Sequence, residues 1–231
     1  MMILLQNLKN HLSNSTMVNN KKIIIFDMDG VIIDSIGLMF ELYQNRFPGS
    51  TRKEFELLFT GNFNEQVDNL KEIYNTGDSS EQEQEKLRNN YTDKKTRTVE
   101  MYPGIQKLIM LLVENGYRLS INTSASGANT FNLLDRLEIT NFFDHIITRD
   151  VTQSKVEKFK ELSRLYSSDV TDFIFITDSL GDVFEANEID IPTLAVTWGI
   201  HNAEYFKGKK IVSTVDSVGE LQKYLIPKNI N

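Results

Sequence analysis

Cysteine is absent from this chain of 231 residues. That excludes a disulfide scaffold, a cysteine nucleophile and a thiolate zinc site. Histidine occurs only three times, too rarely for a histidine-rich metal cage. Positive charge is not in excess: 25 Lys and Arg stand against 32 Asp and Glu, a formal net charge of −7. General nucleic-acid binding depends on neutralising phosphates, so no nucleic-acid partner is expected. Long apolar runs are missing too. Met1 to Leu5 is apolar but gives way to Gln6, short for the apolar core of a signal peptide. No run reaches the roughly 18 apolar residues of a membrane-spanning helix. The expectation is a soluble cytoplasmic protein with no membrane partner, and the lack of cysteine agrees with it.

What is present is an ordinary folded composition, 40% hydrophobic and 10% aromatic. At roughly 150 residues per domain, the length predicts one large domain or one domain with an insert. A chain of this size buries roughly 70–75% of its unfolded surface and needs no cross-links to fold. Residues 1–20 form an extension rich in Asn and Ser, with two readings. Either Met17 is the true start, or Ile3, Leu4, Leu5, Leu8 and Leu12 pack a short helix on the body.

Lys21 to Phe26 is a continuous apolar, β-branched run behind a basic pair, the pattern of a strand covered on both faces. It stops abruptly at Asp27-Met28-Asp29-Gly30. From about Gly37 to Thr98 the pattern is helical and charged, with Phe40, Tyr43 and Phe47 at spacings of three and four. Pro103-Gly104 opens a helix whose apolar face is Ile105, Leu108, Ile109, Leu112 and Val113, and Asn115-Gly116 closes it. Strands are then predicted at 117–122, 143–148, 173–177 and 193–197, with a short edge strand at Ile211-Val212. Helices are predicted at 131–137, 155–166 (Phe159, Leu162 and Leu165 inward), 183–187 and 218–225. The alternation implies an α/β fold, a Rossmann-like parallel sheet with helices on both faces. The predicted organisation is a core of 21–36 and 99–231 interrupted by a helical insert at 37–98.

Ligands of open parallel sheets bind at the carboxyl ends of the strands. Polar groups stand at several of those ends: Asp27 and Asp29 after the first strand, Thr123 and Ser124 after the second, and Asp178 with Asp182 after the fourth. Lys155 opens the helix after the third. Clustered carboxylates repel one another, and a hard divalent cation such as Mg²⁺ resolves the repulsion. Carboxylates, hydroxyls and one ammonium around such an ion suit phosphoryl transfer.

Asp27-Met28-Asp29-Gly30-Val31-Ile32-Ile33-Asp34-Ser35 resembles the first motif of the haloacid-dehalogenase-like hydrolase superfamily. Thr123, Lys155 and Thr177-Asp178-Ser179-Leu180-Gly181-Asp182 resemble its second, third and fourth motifs, in order. Met101 to Gly104 and Val196 to Gly199 resemble segments of the phosphoglycolate-phosphatase-like branch. The resemblance implies that Asp27 is the nucleophile and Asp29 the general acid and base. It implies that Thr123, Ser124 and Lys155 hold the phosphoryl oxygens. Mg²⁺ would lie among Asp27, Asp29 (through its carbonyl), Asp178 and Asp182. The insert would be a cap closing over the site, and Gly61-Asn62-Phe63-Asn64 resembles a cap loop facing the core. The implied activity is a Mg²⁺-dependent phosphatase acting on a small phosphorylated metabolite, as monomer or homodimer. A phosphomutase of the β-phosphoglucomutase kind and a degenerate binder of phosphorylated ligands are the alternatives.

Two positions depart from the pattern. Thr177 stands where glycine is usual, adding bulk beside Asp178, and Val156 replaces the proline that commonly follows the third-motif lysine. Lys158 and Lys160 lie near Lys155, whose spacing to Asp178 favours it. Asp34 and Ser35 are expected to cap the first helix and Trp198 to pack, and His11, His145 and His201 receive no role.

Overall fold

Ile23–Phe26 form β1, buried along its whole length. The computed structural model that shows this describes residues 23–61, 67, 70, 71, 73, 74 and 81–227. The two readings of the N-terminal extension and most of the Gly61–Asn64 loop lie outside them. β1 is buried because it is central. It pairs in parallel with β2 (Arg118–Asn122) on one side and β4 (Phe173–Thr177) on the other. β3 (His145–Ile147), β5 (Thr193–Val196) and β6 (Ser213–Val215) complete a six-stranded parallel sheet of order β3-β2-β1-β4-β5-β6.

Alternate residues of β1 serve opposite faces, as strand geometry requires. Ile24 and Phe26 join the apolar cluster beneath α4 (Ile105–Glu114), α5 (Gly127–Arg136) and α9 (Val218–Leu225). Ile23 and Ile25 join the cluster beneath α6 (Lys155–Tyr166) and α7 (Leu180–Glu188). Each fully buried aliphatic or aromatic side chain is worth roughly 1.5–3 kcal/mol, so the doubly covered sheet is the rigid part of the molecule. The chain leaves β1 toward β2 and β3, then crosses back to β4. That reversal at the β1–β4 boundary opens a crevice at the carboxyl ends of both strands.

Between β1 and α4 the described residues form α1 (Ile36–Arg46), α2 (Arg52–Leu57) and α3 (Glu81–Thr98). Tyr43, Phe47, Phe55, Leu58 and Leu70 make a separate apolar cluster there, joined by Ile36 and, from the loop after β5, by Ile200. A capping box fixes the start of α2: Thr51 accepts from the Glu54 N–H, and the Glu54 carboxylate accepts from the Thr51 N–H.

Several sequence expectations shift. The edge strand falls at Ser213–Val215, not Ile211-Val212. The apolar signal of Ile211 reflects packing against Leu180, Val183, Ala195 and Phe206 just ahead of the strand. Val113 and Leu165 are exposed. Tyr166 takes the inward place expected of Leu165, its hydroxyl meeting Ser120 at 2.6 Å. Helices α5 and α7 begin about four and three residues before their predicted starts, behind Ser126 and Ser179. A short helix, α8 (Ala203–Phe206), was not predicted. Among the described residues, no helix is long and apolar enough to cross a membrane.

Candidate active site

The strand ends bring the predicted residues to one crevice. A cavity of about 1020 Å³ lies there, with Asp27, Asp29, Thr123 and Asp178 on the sheet side and Leu58, Tyr91 and Lys95 on the helical side. The Asp27 N–H donates to the Ile176 carbonyl, extending the β1–β4 ladder by one bond and fixing where its side chain begins. Asp27 Oδ1 accepts from the Met28 N–H at 2.8 Å and lies 3.0 Å from Lys155 Nζ.

Lys155 is the first residue of α6, behind the Ser154 cap, whose hydroxyl accepts from the Glu157 N–H. Its ammonium is buried and donates to the Asn122 carbonyl at 3.1 Å, with Asp182 Oδ2 at 2.9 Å. Burial alone would lower this ammonium, but the Asp182 and Asp27 carboxylates outweigh it and hold it above its ordinary value. Of the three neighbouring lysines, Lys155 is the one whose ammonium meets Asp27. Lys158 is also buried but donates to the Thr123 carbonyl at 2.7 Å, and Lys160 is exposed beside Glu157.

Asp178 is buried beside Asp27. Oδ2 accepts from the Ile200 N–H at 2.7 Å. Two glycines make room for it: a Cβ on Gly30 or Gly199 would stand 1.8 or 2.2 Å from Oδ2. Gly30 also has φ +73, a left-handed turn suited to glycine. Burial, and after it the charge of Asp27, pushes the Asp178 carboxyl well above the usual range. Burial pushes Asp27 up to about 7, against the lowering effect of Lys155. Two mutually repelling carboxylates with hard oxygen donors, one buried and one half-buried, fit a divalent cation.

The side chains of Asp182 and of Asp29, whose carbonyl and not carboxylate is expected at the metal, have other partners. The Asp29 carboxylate accepts from Ser35 Oγ at 2.5 Å and lies 2.6 Å from Lys95 Nζ. The Asp182 carboxylate accepts from Thr177 Oγ1 at 2.7 Å and pairs with Lys155. Accordingly, among the described residues no group of three or more His, Asp or Glu side chains is arranged as a ready-made metal site. Thr177, the departure from the glycine of the motif, is accommodated by this contact. Its hydroxyl donates to Asp182 and accepts from the Ser179 N–H.

Thr123 Oγ1 accepts from the Ala125 N–H at 3.1 Å, which leaves its proton to donate into the cavity. Ser124 lines the same wall. Ser35 does occupy the N-cap position of α1, but its hydroxyl makes no cap and serves Asp29 instead. Trp198 packs as expected, edge-on to Tyr102.

Two residues in or beside the site escaped the sequence reading. Lys95 sits near the end of the polar helix α3, where its neighbours are all charged or hydroxylated; the pair Lys94-Lys95 carries no distinguishing signal. His201 is fully buried. Its Nδ1 accepts from the Leu180 N–H at 2.9 Å and its Nε2 donates to the Glu56 carbonyl at 3.0 Å, joining the sheet-end loop to α2. Burial holds this imidazole below its ordinary pKa, as the donor–acceptor pattern of a neutral ring requires. The Gly181 N–H donates to the Phe59 carbonyl at 2.7 Å, a second tie between the same two parts.

With this geometry established, comparison places the chain among known proteins. A family model described as haloacid dehalogenase-like hydrolase matches residues 24–196. A glyceraldehyde 3-phosphate phosphatase of Pyrococcus abyssi is 24% identical over 198 residues, 77% of this chain and 82% of that protein. A phosphoglycolate phosphatase of Nitrosococcus oceani is 24% identical over 226 residues, 90% of this chain and 98% of that protein. In fold, the chain resembles a haloacid dehalogenase-like hydrolase from Streptococcus pneumoniae, with a TM-score of 0.74 at 21% identity, covering 89% of this chain and 99% of the other.

Proposed function

Because the chain belongs to the haloacid dehalogenase-like hydrolase family, we propose that it is a phosphatase that moves a phosphoryl group from a small phosphorylated metabolite to Asp27 and then to water. The carrying observation is Asp27 itself: a carboxylate at the end of the central strand, 3.0 Å from a buried ammonium and beside Asp178. The relatives named for glyceraldehyde 3-phosphate and phosphoglycolate support a substrate of that small size.

In this reading one carboxylate oxygen of Asp27 attacks phosphorus, and the bond from phosphorus to the ester oxygen breaks. Asp29 gives its proton to the departing oxygen. It then takes a proton from the water that attacks the aspartyl-phosphate, releasing phosphate and restoring Asp27. Lys155 and the Thr123 hydroxyl orient the non-bridging oxygens and offset their charge, which supplies most of the catalysis in phosphoryl transfer. Mg²⁺ is proposed to be held by the Asp27 and Asp178 carboxylates and the Asp29 carbonyl, supplying charge neutralisation for the phosphoryl group. Asp182 acts through Lys155, which it holds in place. The helices of 37–98 are proposed as a cap domain that excludes water and selects the leaving group.

The test is phosphate release from p-nitrophenyl phosphate and from two- and three-carbon phosphate esters, with Mg²⁺, with EDTA, and with Asp27→Asn. Metal-dependent release abolished by the substitution is the expected result. Full activity of Asp27→Asn overturns the assignment. Hexose phosphates are assayed beside them, and isomerised sugar phosphate without net phosphate release would identify a mutase instead.

A further inference from the structure

Lys158 is fully buried, yet among the described residues its ammonium has a hydrogen bond to one neutral acceptor and no ion pair. An ammonium in such a place is costly unless a negative charge is near. The acceptor is the Thr123 carbonyl, at 2.7 Å. That carbonyl and the Ser124 N–H are the two ends of one peptide unit. The Ser124 N–H has no acceptor among the described residues, and Ser124 lines the cavity beside Thr123. A hydrogen bond received at a carbonyl polarises its amide and strengthens the N–H at the other end as a donor.

Building on the phosphatase reading, we infer that Lys158 is a positioning residue for the phosphoryl group: it fixes the Thr123–Ser124 peptide and strengthens the Ser124 N–H as a donor to a phosphoryl oxygen. A bound phosphoryl anion adds negative charge at the far end of that peptide, where the ammonium has no ion pair of its own, so the contact favours bound phosphate over the empty site. Lys155 touches Asp27 directly, whereas Lys158 acts one peptide away. Burial, then the nearby Lys155 ammonium, pulls Lys158 down to about 8, against the raising effect of Asp27, Asp182 and Glu185. It is therefore still largely protonated at neutral pH and ready to respond to an added anion.

The test compares wild type, Lys158→Met and Lys155→Met. Methionine keeps the length of the stem and removes the ammonium. Readouts are the inhibition constant of inorganic phosphate, KM and kcat for p-nitrophenyl phosphate, and the melting temperature. Lys158→Met is expected to weaken phosphate binding and raise KM by about tenfold, with kcat changed less than about threefold. Because the chain has no cysteine, Lys158→Cys can be aminoethylated alone while unfolded and then refolded. Restoring the ammonium in this way is expected to restore KM, and an ethyl group is not. Wild-type KM and phosphate affinity in a folded Lys158→Met overturn the inference. If Lys155→Met is equally silent, the phosphate site itself is misassigned and the phosphatase reading fails with it. A measurement free of variants is the amide resonance of Ser124 in the wild-type protein. It is expected to move downfield on adding inorganic phosphate, and an unmoved resonance also overturns the inference.

Discussion

The ammonium of Lys95 stands 2.6 Å from Oδ1 of Asp29 and donates to Oδ2 at 2.8 Å, joining α3 to the loop after β1 across 66 residues of sequence. The pair is largely shielded from water, with the lysine side chain 9% exposed, so it is screened far less than a surface ion pair. It places a cation from the proposed cap against the proposed acid and base. Beside it, Thr92 of the same helix accepts from Asn129 Nδ2 of α5 at 3.1 Å. The helical segment is thus tied to the sheet and its helices beside the proposed acid and base.

Lys95→Met should loosen that tie and leave Asp29 with Ser35 as its remaining side-chain partner. The expected result is a fall in kcat/KM of roughly tenfold or more, from lost positioning, together with faster amide exchange in α3. Steady-state kinetics and hydrogen-exchange mass spectrometry check both. Unchanged exchange and unchanged kcat/KM would show the ion pair to be incidental.

The carboxylates make stability depend on pH and metal. Asp27 is raised by burial to about 7 from an ordinary value of 3.8, and Asp178 is raised in the same direction. A raised carboxyl binds more protons folded than unfolded between the two values. Its contribution is complete below the unfolded pKa and is lost as pH rises through the folded one. Without metal, the melting temperature should therefore fall between about pH 4 and pH 7. Mg²⁺ at about 100 times its dissociation constant at pH 8 should restore roughly 2.7 kcal/mol there, and the same concentration should restore less at pH 5, where protons compete for the carboxylates. Calorimetry in EDTA and in Mg²⁺ decides this, and a metal response independent of pH would count against the carboxylate site.

Thr177 tests whether the motif's usual glycine would improve this chain. Thr177→Val replaces by a methyl the hydroxyl that donates to Asp182 and accepts from the Ser179 N–H. It should cost about 1–2 kcal/mol, because a buried carboxylate loses a donor. Thr177→Gly should cost more, since it also frees the backbone of a buried strand end. Urea unfolding measures both, and a stabilised glycine variant would refute the accommodation described for Thr177.

Gly199→Ala should be more damaging than an ordinary loop substitution. The new Cβ would stand 2.2 Å from Asp178 Oδ2 and 2.5 Å from the Gly30 carbonyl oxygen. Asp178 Cβ would also be only 2.4 Å away, a clash that turning the carboxylate cannot relieve, so Asp178 must move. A loss of about 100-fold or more in kcat is expected, with weaker Mg²⁺ binding by isothermal titration. Normal metal affinity in this variant would remove Asp178 from the proposed metal site.

The sequence alone determined the layered α/β fold and the strand ends at which the candidate site residues stand. Apolar β-branched runs specify buried parallel strands by local pattern, and β1, β4, α6 and α9 fall at or within two residues of their predicted bounds. Asp27, Thr123, Lys155 and Asp178 were legible because each follows or opens an element whose limits local residues set. Tertiary structure decided which charges meet. It chose Lys155 over Lys158 for Asp27, turned Asp182 toward Lys155 and Thr177, and brought Lys95 to Asp29 and His201 to Glu56. None of these follows from spacing. The direction of a long polar side chain is set by the packing and burial of elements distant in sequence, and only the assembled sheet and helices fix those.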